Sequence, residues 1–299
     1  PSGHTVHECR LIADTAKETK RVIQIGTQQR SSPHWMNAVE RIRAGELGQV
    51  TAVHVWNTWG VKAMGGTMGN PPEADTPPGV DYDLWLGPAP KRPFNPARFH
   101  FNFYFFWDYS TGMTVAWGVH LFDVVMWALG GEVKSAAASG GIYVLKDARD
   151  TPDTVQAVFD CGEYVMDYSL CHTLNWPRFG DMDHGIEFVG TRGVLQINRK
   201  GFGMFRESSR ETGKPFYSEK VDGDDTVRHH ANFFDCMRSR KPCNADGEAG
   251  FQGALPGMLA NISYRLGRGV RWDAKAGTII GDPEATKLLT KEYRAPWRL

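Results

Sequence analysis

Residues 113–129 constrain this chain more than any other stretch. They read Met-Thr-Val-Ala-Trp-Gly-Val-His-Leu-Phe-Asp-Val-Val-Met-Trp-Ala-Leu and are apolar on nearly every side. A helix of that kind is buried all round rather than laid on a surface. It carries two ionisable residues, His120 and Asp123, three apart and so on one face, with Ala116 one turn before His120. Burying such groups is costly unless they are paired or used. Gly118, in mid-helix, costs about 1 kcal/mol against Ala and points to a close approach of backbone or ligand. One reading is a core helix with a hydrogen-bonded His–Asp pair. The other is a functional site at the helix entrance, favoured by Asp108, Tyr109 and the aromatic run before them.

The rest of the chain must supply the layers that cover this helix. Residues 4–20 have the 3.6-residue apolar period of a helix, 21–26 form a short β-branched strand ending in Gly26, and a second helix starts at Ser32-Pro33 and runs to about Ala44. In an α–β–α piece the loop at the strand's C-terminal end lines a ligand crevice, which places Gln28 and Arg30 there. Residues 49–56 read as a strand, and 61–80, with four prolines and four glycines, as a long irregular loop. From Glu132 the period changes to two. Strands are expected over 133–143, 154–160, 164–172, 185–189, 194–198 and 202–205, with short turns at 161–162 and 190–193. Helices follow over 227–239 and 251–266, then a last strand near 270–272. The predicted fold is α+β: a remnant of a Rossmann-like α/β unit (residues 1–48), then a domain with a large, mostly antiparallel sheet flanked by helices (residues 49–299).

Lys plus Arg and Asp plus Glu balance at 34 each, without a basic block, so no nucleic-acid partner is expected. No apolar run reaches membrane-spanning length, and no membrane partner is expected. Five cysteines, odd in number and without a C-x-x-C, suggest free thiols and favour a cytoplasmic chain, with export the alternative if a leader was removed. His172, His184, Glu187, His229 and His230 form no H-x₃-H or HExxH pair, so no metal is expected. A serine hydrolase is disfavoured because no G-x-S-x-G turn is present.

Several motifs coincide with these elements. They are Gly26-Thr-Gln-Gln-Arg30; Trp85-Leu-Gly-Pro-Ala-Pro90; Trp107-Asp-Tyr109 with Gly112 and then Gly118-Val-His-Leu-Phe-Asp123; Asp150-Thr-Pro-Asp-Thr154; Gly190-Thr-Arg-Gly193; His229 with Asn232-Phe-Phe-Asp235; and Tyr293-Arg-Ala-Pro-Trp297. Together they resemble the Gfo/Idh/MocA family of nicotinamide-dependent sugar and polyol oxidoreductases, over essentially the whole chain. The resemblance implies hydride transfer from a sugar carbon to NAD or NADP, with His120 as proton acceptor or relay and Asp123 orienting it. Trp107, Asp108 and Tyr109 would line the sugar, and His172, Trp176 and His229 would reach it. Gln28, Arg30 and Trp85 would face the cofactor. It also implies a dimer or tetramer built through the sheet.

Two departures temper that expectation. No G-x-G-x-x-G turn follows a strand, and the family's Glu-Lys-Pro motif, whose lysine is usually catalytic, would end at Pro1. The Asp that usually precedes the family histidine by one turn is Ala116. The expectation is thus a chain lacking most of the N-terminal nucleotide-binding domain, with cofactor binding in question and little or no turnover. A non-catalytic sugar-binding or oligomerisation protein, or a relative that uses NAD to cleave glycosides, are the alternatives.

Overall fold

A computed structural model of the chain describes residues 1–60, 66–174, 176–177, 182–221, 223 and 225–299. Helix α1 (Val6–Glu18) opens with a capping box: Thr5 Oγ accepts from Glu8 N–H, and the Glu8 carboxylate accepts from Thr5 N–H. Residues 21–26 are not a strand of any sheet. Their β-branched sequence keeps them extended. Their backbone link across the fold is Ile25 N–H to the Ala245 carbonyl at 2.8 Å, and a ladder needs a neighbour the described residues do not place there. A 3₁₀ turn (Gln28–Ser31) leads into α2 (Pro33–Arg43), with Pro33 at its first position.

Strand β1 (Val50–Asn57) follows, then the irregular region, of which 61–65 lie outside the described residues, then α3 (Tyr82–Leu86), α4 (Gly112–Ala116) and α5 (Val119–Leu129). Next come β2 (Ser135–Gly141), β3 (Thr154–Asp160), β4 (Val165–Cys171), β5 (His184–Gly190), β6 (Gly193–Asn198), β7 (Gly201–Phe205) and β8 (Tyr217–Lys220). The chain ends with α6 (Asp225–Ser239), α7 (Gly247–Leu266), β9 (Val270–Asp273), β10 (Thr278–Ile279) and α8 (Pro283–Lys287). The sequence pattern missed β8 because Tyr-Ser-Glu-Lys on a sheet edge buries little, and β10 because it is two residues long.

All ten strands form one sheet in the order β10-β9-β2-β3-β4-β1-β5-β6-β7-β8. The sheet is antiparallel except where β1 runs parallel to β4. β1, early in the sequence, is thus inserted at the centre between strands formed a hundred residues later, with Val53 opposite both Met166 and Phe188. The period-2 pattern then sorts the faces. Val53, Val55, Phe159, Met166, Tyr168, Ile186, Phe188, Leu195 and Ile197 are buried against the helices. The opposite face carries the His54–Asp167 pair, the Glu187–Gln196 and Gln156–Ser169 hydrogen bonds, and the half-exposed Val158 and Val165.

The core runs without a break from α1 and α2 through α5 and α7 to the sheet. Residues 1–48 and 49–299 therefore share one apolar interior. Helix α5 is covered on one side by the sheet and on another by α7, whose Gly253 and Gly257 allow contact: a Cβ on Gly253 would sit 2.8 Å from Asp123 Cβ. No described helix is long and apolar enough to cross a membrane.

Candidate functional site

The apolar stretch expected as one helix is two, α4 and α5, and the joint creates the site. Trp117 N–H and Gly118 N–H both reach the Met113 carbonyl at 3.2 Å, so Gly118 makes an i→i−5 bond, while His120 bonds back to Trp117 at 3.0 Å. This is a one-residue π-type bulge, a feature frequent at functional positions. It depends on glycine, because a Cβ on Gly118 would lie 2.1 Å from the Thr114 carbonyl oxygen. The bulge turns the Trp117 and His120 side chains toward the ends of β1, β5 and β6.

Trp117 is the hub there. Its ring lies 4.2 Å from Trp59, 4.9 Å from His184 and 5.7 Å from His120 by centroids, and the Arg199 guanidinium stands over it at 5.0 Å. His120 Nδ1 is 3.4 Å from Gln29 Oε1, so that nitrogen carries the proton and Nε2 keeps its lone pair toward the site. Burial, above all, with the Arg199 guanidinium and His184, pushes His120 down to about 3, so it is neutral at neutral pH. His184 is lowered mainly by burial; its Nδ1 bonds Asp183 Oδ1 at 2.6 Å, leaving Nε2 without a partner. Gln29 Nε2, both side-chain atoms of Asn57 and Asn198 Nδ2 are likewise buried without a close hydrogen bond, and Tyr168 OH stands beside Asn57. Unsatisfied buried polar atoms are scarce in folded proteins, and a group of them marks a place for a polar ligand or water.

The side chains expected from the sequence divide into three groups. His120 lies at this centre, and Gln28 precedes the residue that holds it. Asp123 does not orient His120: it is fully buried and takes a forked bond from Arg30 Nε at 2.8 and 2.9 Å. Burial raises its pKa and the guanidinium opposes the rise. Helical spacing puts the two residues on one face, but the bulge and the Gln28–Ser31 turn give each its own partner. Arg30 also leans on Trp127 and the Asn244 carbonyl, so its role is to fasten α5 and it closes Asp123 off from any sugar. His229 is buried with both nitrogens used, Nδ1 with Ser31 Oγ at 2.8 Å and Nε2 donating to the Ile25 carbonyl at 2.9 Å, so it ties α6 to the turn and has no nitrogen left for a substrate.

The helix entrance is a separate corner. Asp108 pairs with Arg92, Trp107 packs against Tyr264 and Arg265, and Tyr109 meets Trp85 at 5.1 Å within a cluster that includes Tyr82 and Phe99. His172 is buried, bonds the Trp59 carbonyl through Nδ1 at 3.1 Å and keeps Nε2 free; burial lowers it to about 4. Trp59 thus links His172 to the Trp117 hub, whereas Trp176 is 69 % exposed. Ala116 offers no polar atom. Among the described residues no three metal-ligating side chains converge.

The sequence reading passed over Gln29, Asn57, Trp117, Asn198 and Arg199, and weighed His184 only as a metal ligand. A signal existed for some of them. Asn57 is an amide at the C-terminal end of a strand, on the side-chain parity of Val53 and Val55 in the core, where an apolar residue is the rule, and Arg199 shares the parity of Leu195 and Ile197.

Comparison with known proteins follows this geometry. The family model described as the C-terminal alpha/beta domain of an oxidoreductase family matches residues 41–156 and 213–299. No curated protein matches the chain in sequence. Among solved structures, an oxidoreductase from Thermotoga maritima superposes with a TM-score of 0.62 at 14% identity, covering 91% of this chain and 68% of that one. The WlbA dehydrogenase from Bordetella pertussis, in complex with NADH and UDP-GlcNAcA, gives 0.60 at 15% identity, with 91% and 69% covered. A levoglucosan dehydrogenase in complex with NADH and levoglucosan gives 0.63 at 14% identity, with 90% and 70% covered. The family model spans more than half of the sequence, including α5 with His120, and so the chain belongs to the Gfo/Idh/MocA oxidoreductase family.

Proposed function

We propose that the His120 centre is the sugar-binding and proton-handling side of an NAD(P)-dependent sugar or polyol dehydrogenase. The observation that carries this is a neutral His120 with its Nδ1 proton engaged by Gln29 and Trp117 packed between it and His184, whose Nε2 has no partner. A sugar hydroxyl placed there donates its proton to Nε2, and Gln29 holds the ring in the tautomer that accepts it. His184 Nε2 and the Asn57 amide, paired across β1 and β5, satisfy neighbouring hydroxyls, and Trp117 and Trp59 offer apolar faces to the ring carbons. His172, linked to the hub through Trp59, extends this lining, whereas Trp107, Asp108 and Tyr109 with Trp85 form the separate corner at the helix entrance.

The family cofactor, NAD or NADP, is tested against the residues at hand. Among the described residues no glycine-rich strand-to-helix turn exists to cradle a pyrophosphate. The α1 N-terminus is filled by its own Glu8 carboxylate and the α7 N-terminus by Asp246. The described residues therefore fit the sugar and its proton, not the nucleotide phosphates, and residues 1–48 act as the wall that carries Gln29.

The test is a panel of sugars and polyols offered to the chain with NAD⁺ or NADP⁺, read by nicotinamide reduction and by the ring resonances of His120. A bound sugar shifts those resonances, and any turnover falls about a hundredfold or more in His120→Gln. Sugar oxidation that is unchanged in that variant, or sugar binding that leaves the His120 ring untouched, sinks the assignment. A second reading, a homo-oligomer through the open sheet face, is favoured by the half-exposed Val158 and Val165 on adjacent strands, and light scattering of the chain and of Val158→Lys decides it.

A further inference from the structure

Among the described residues, Arg199 is a guanidinium at the site with no ion pair of its own. Several other covered arginines are matched, Arg30 by Asp123, Arg149 by Asp147 at 2.6 Å and Arg294 by Asp83 at 2.9 Å, while Arg98, away from the His120 centre, keeps a buried Nη1 without a partner. Among the described residues Arg199 has neither an ion pair nor a hydrogen bond, and its recorded contact is the face of Trp117. Among the described residues no carboxylate makes an ion pair with it. Asp183 binds His184 Nδ1, and Asp225, whose field reaches Arg199, pairs with Arg228 at 3.8 Å. A half-buried cation without an anion is costly, and partial desolvation lowers the affinity of Arg199 for its own charge. Evolved sites hold such a group when a ligand completes it.

We propose that Arg199 recognises an anionic group on the substrate, so that the sugar taken by the His120 centre is an acidic one, carrying a carboxylate or a phosphate, rather than a neutral one. This rests on reading the His120 centre as a sugar site. The guanidinium is a planar fork of donors matched to either anion, and stacking on Trp117 fixes its plane beside His184 and His120. The arrangement also couples recognition to chemistry. The Arg199 charge is one of the causes that depress His120, so an anion seated on Arg199 offsets it and raises the basicity of Nε2 as the substrate arrives.

Calorimetric titration of the full chain with D-glucose, D-glucuronate and D-glucose 6-phosphate tests this, in wild type, Arg199→Met and Arg199→Lys. One of the two acids is expected to bind about ten- to a hundredfold more tightly than glucose. Tighter glucuronate identifies a carboxylate, and tighter glucose 6-phosphate a phosphate. Arg199→Met removes the preference while glucose affinity stays within about twofold, and Arg199→Lys keeps part of it. Should Arg199→Met fail to fold, salt decides in wild type: acid binding weakens with added sodium chloride and glucose binding does not. Equal affinity for glucose and both acids, absence of acid binding, or a parallel loss for all three sugars in Arg199→Met overturns the proposal. Acids that bind through Arg199 without ever being oxidised would remove the dehydrogenase reading and leave the anion site standing. Oxidation of neutral sugars by a chain indifferent to acids would do the reverse.

Discussion

His120 and Asp123 stand three residues apart on α5, yet their surroundings are opposites. Around Asp123 every charge is answered: Arg30 holds both carboxylate oxygens, leans on Trp127 and leaves no room for a ligand. Around His120 much less is answered: among the described residues Arg199 makes no ion pair, and His184, Gln29 and Asn57 hold polar atoms without hydrogen bonds. Satisfied buried charge belongs to architecture, and unsatisfied buried polarity belongs to something that comes and goes. The histidines repeat the contrast. His229 uses both nitrogens to tie α6 to the Gln28–Ser31 turn, whereas His184 and His172 each keep one free.

The contrast can be broken by mutation. The largest effect is expected for Asp123→Ala, which strands the Arg30 guanidinium and should cost about 3–5 kcal/mol in denaturant unfolding. A loss below about 1 kcal/mol would show that the pair is not structural. Gly118→Ala comes next: forcing a methyl against the Thr114 carbonyl either removes the bulge or strains it, at about 1–3 kcal/mol, and should shift the His120 ring resonances. His229→Phe gives up two buried hydrogen bonds and should destabilise by about 1–3 kcal/mol without altering sugar affinity. His120→Gln should change stability by no more than about 0.5 kcal/mol near neutral pH while affecting sugar chemistry strongly.

A finer test uses pH. His120, folded, sits near 3, and unfolded it returns to the ordinary imidazole value of about 6.5. Between these values the unfolded chain binds more protons, so stability is lost as pH falls from about 6.5 toward 3. His172, pushed down to about 4, adds to the same slope. Unfolding free energies measured from pH 7 to pH 4 should therefore fall less steeply in His120→Gln than in wild type. Identical slopes would mean that His120 titrates normally in the folded chain.

Much of the fold was legible because it is written locally. The period-2 runs placed β3 through β7 within a residue or two, and Ser32-Pro33 marked the start of α2. The extended segment 21–26 was misread as a strand because β-branched residues report an extended backbone, not a partner to pair with. The insertion of β1 between β4 and β5 was equally out of reach, since its alternation fits any central position. At the site, His120 stood out as a buried titratable group, but its partner did not. Spacing suggested Asp123, while the structure supplied Gln29 from a turn ninety residues earlier.

What the sequence by itself determined is the class of fold, the family motifs and the presence of ionisable residues in an apolar helix. Each follows from periodicity or from residue types at fixed local offsets, which neighbours along the chain suffice to set. Which charges are cancelled and which are left open was decided only by tertiary structure. The bulge at Gly118 rotates one face of the helix away from the other, and the ends of β1, β5 and β6 bring Asn57, His184 and Arg199 to His120 from across the chain. Electrostatic matching depends on distance in space, and a one-residue change in helical register moves a side chain by about a hundred degrees, beyond what spacing along the sequence can report.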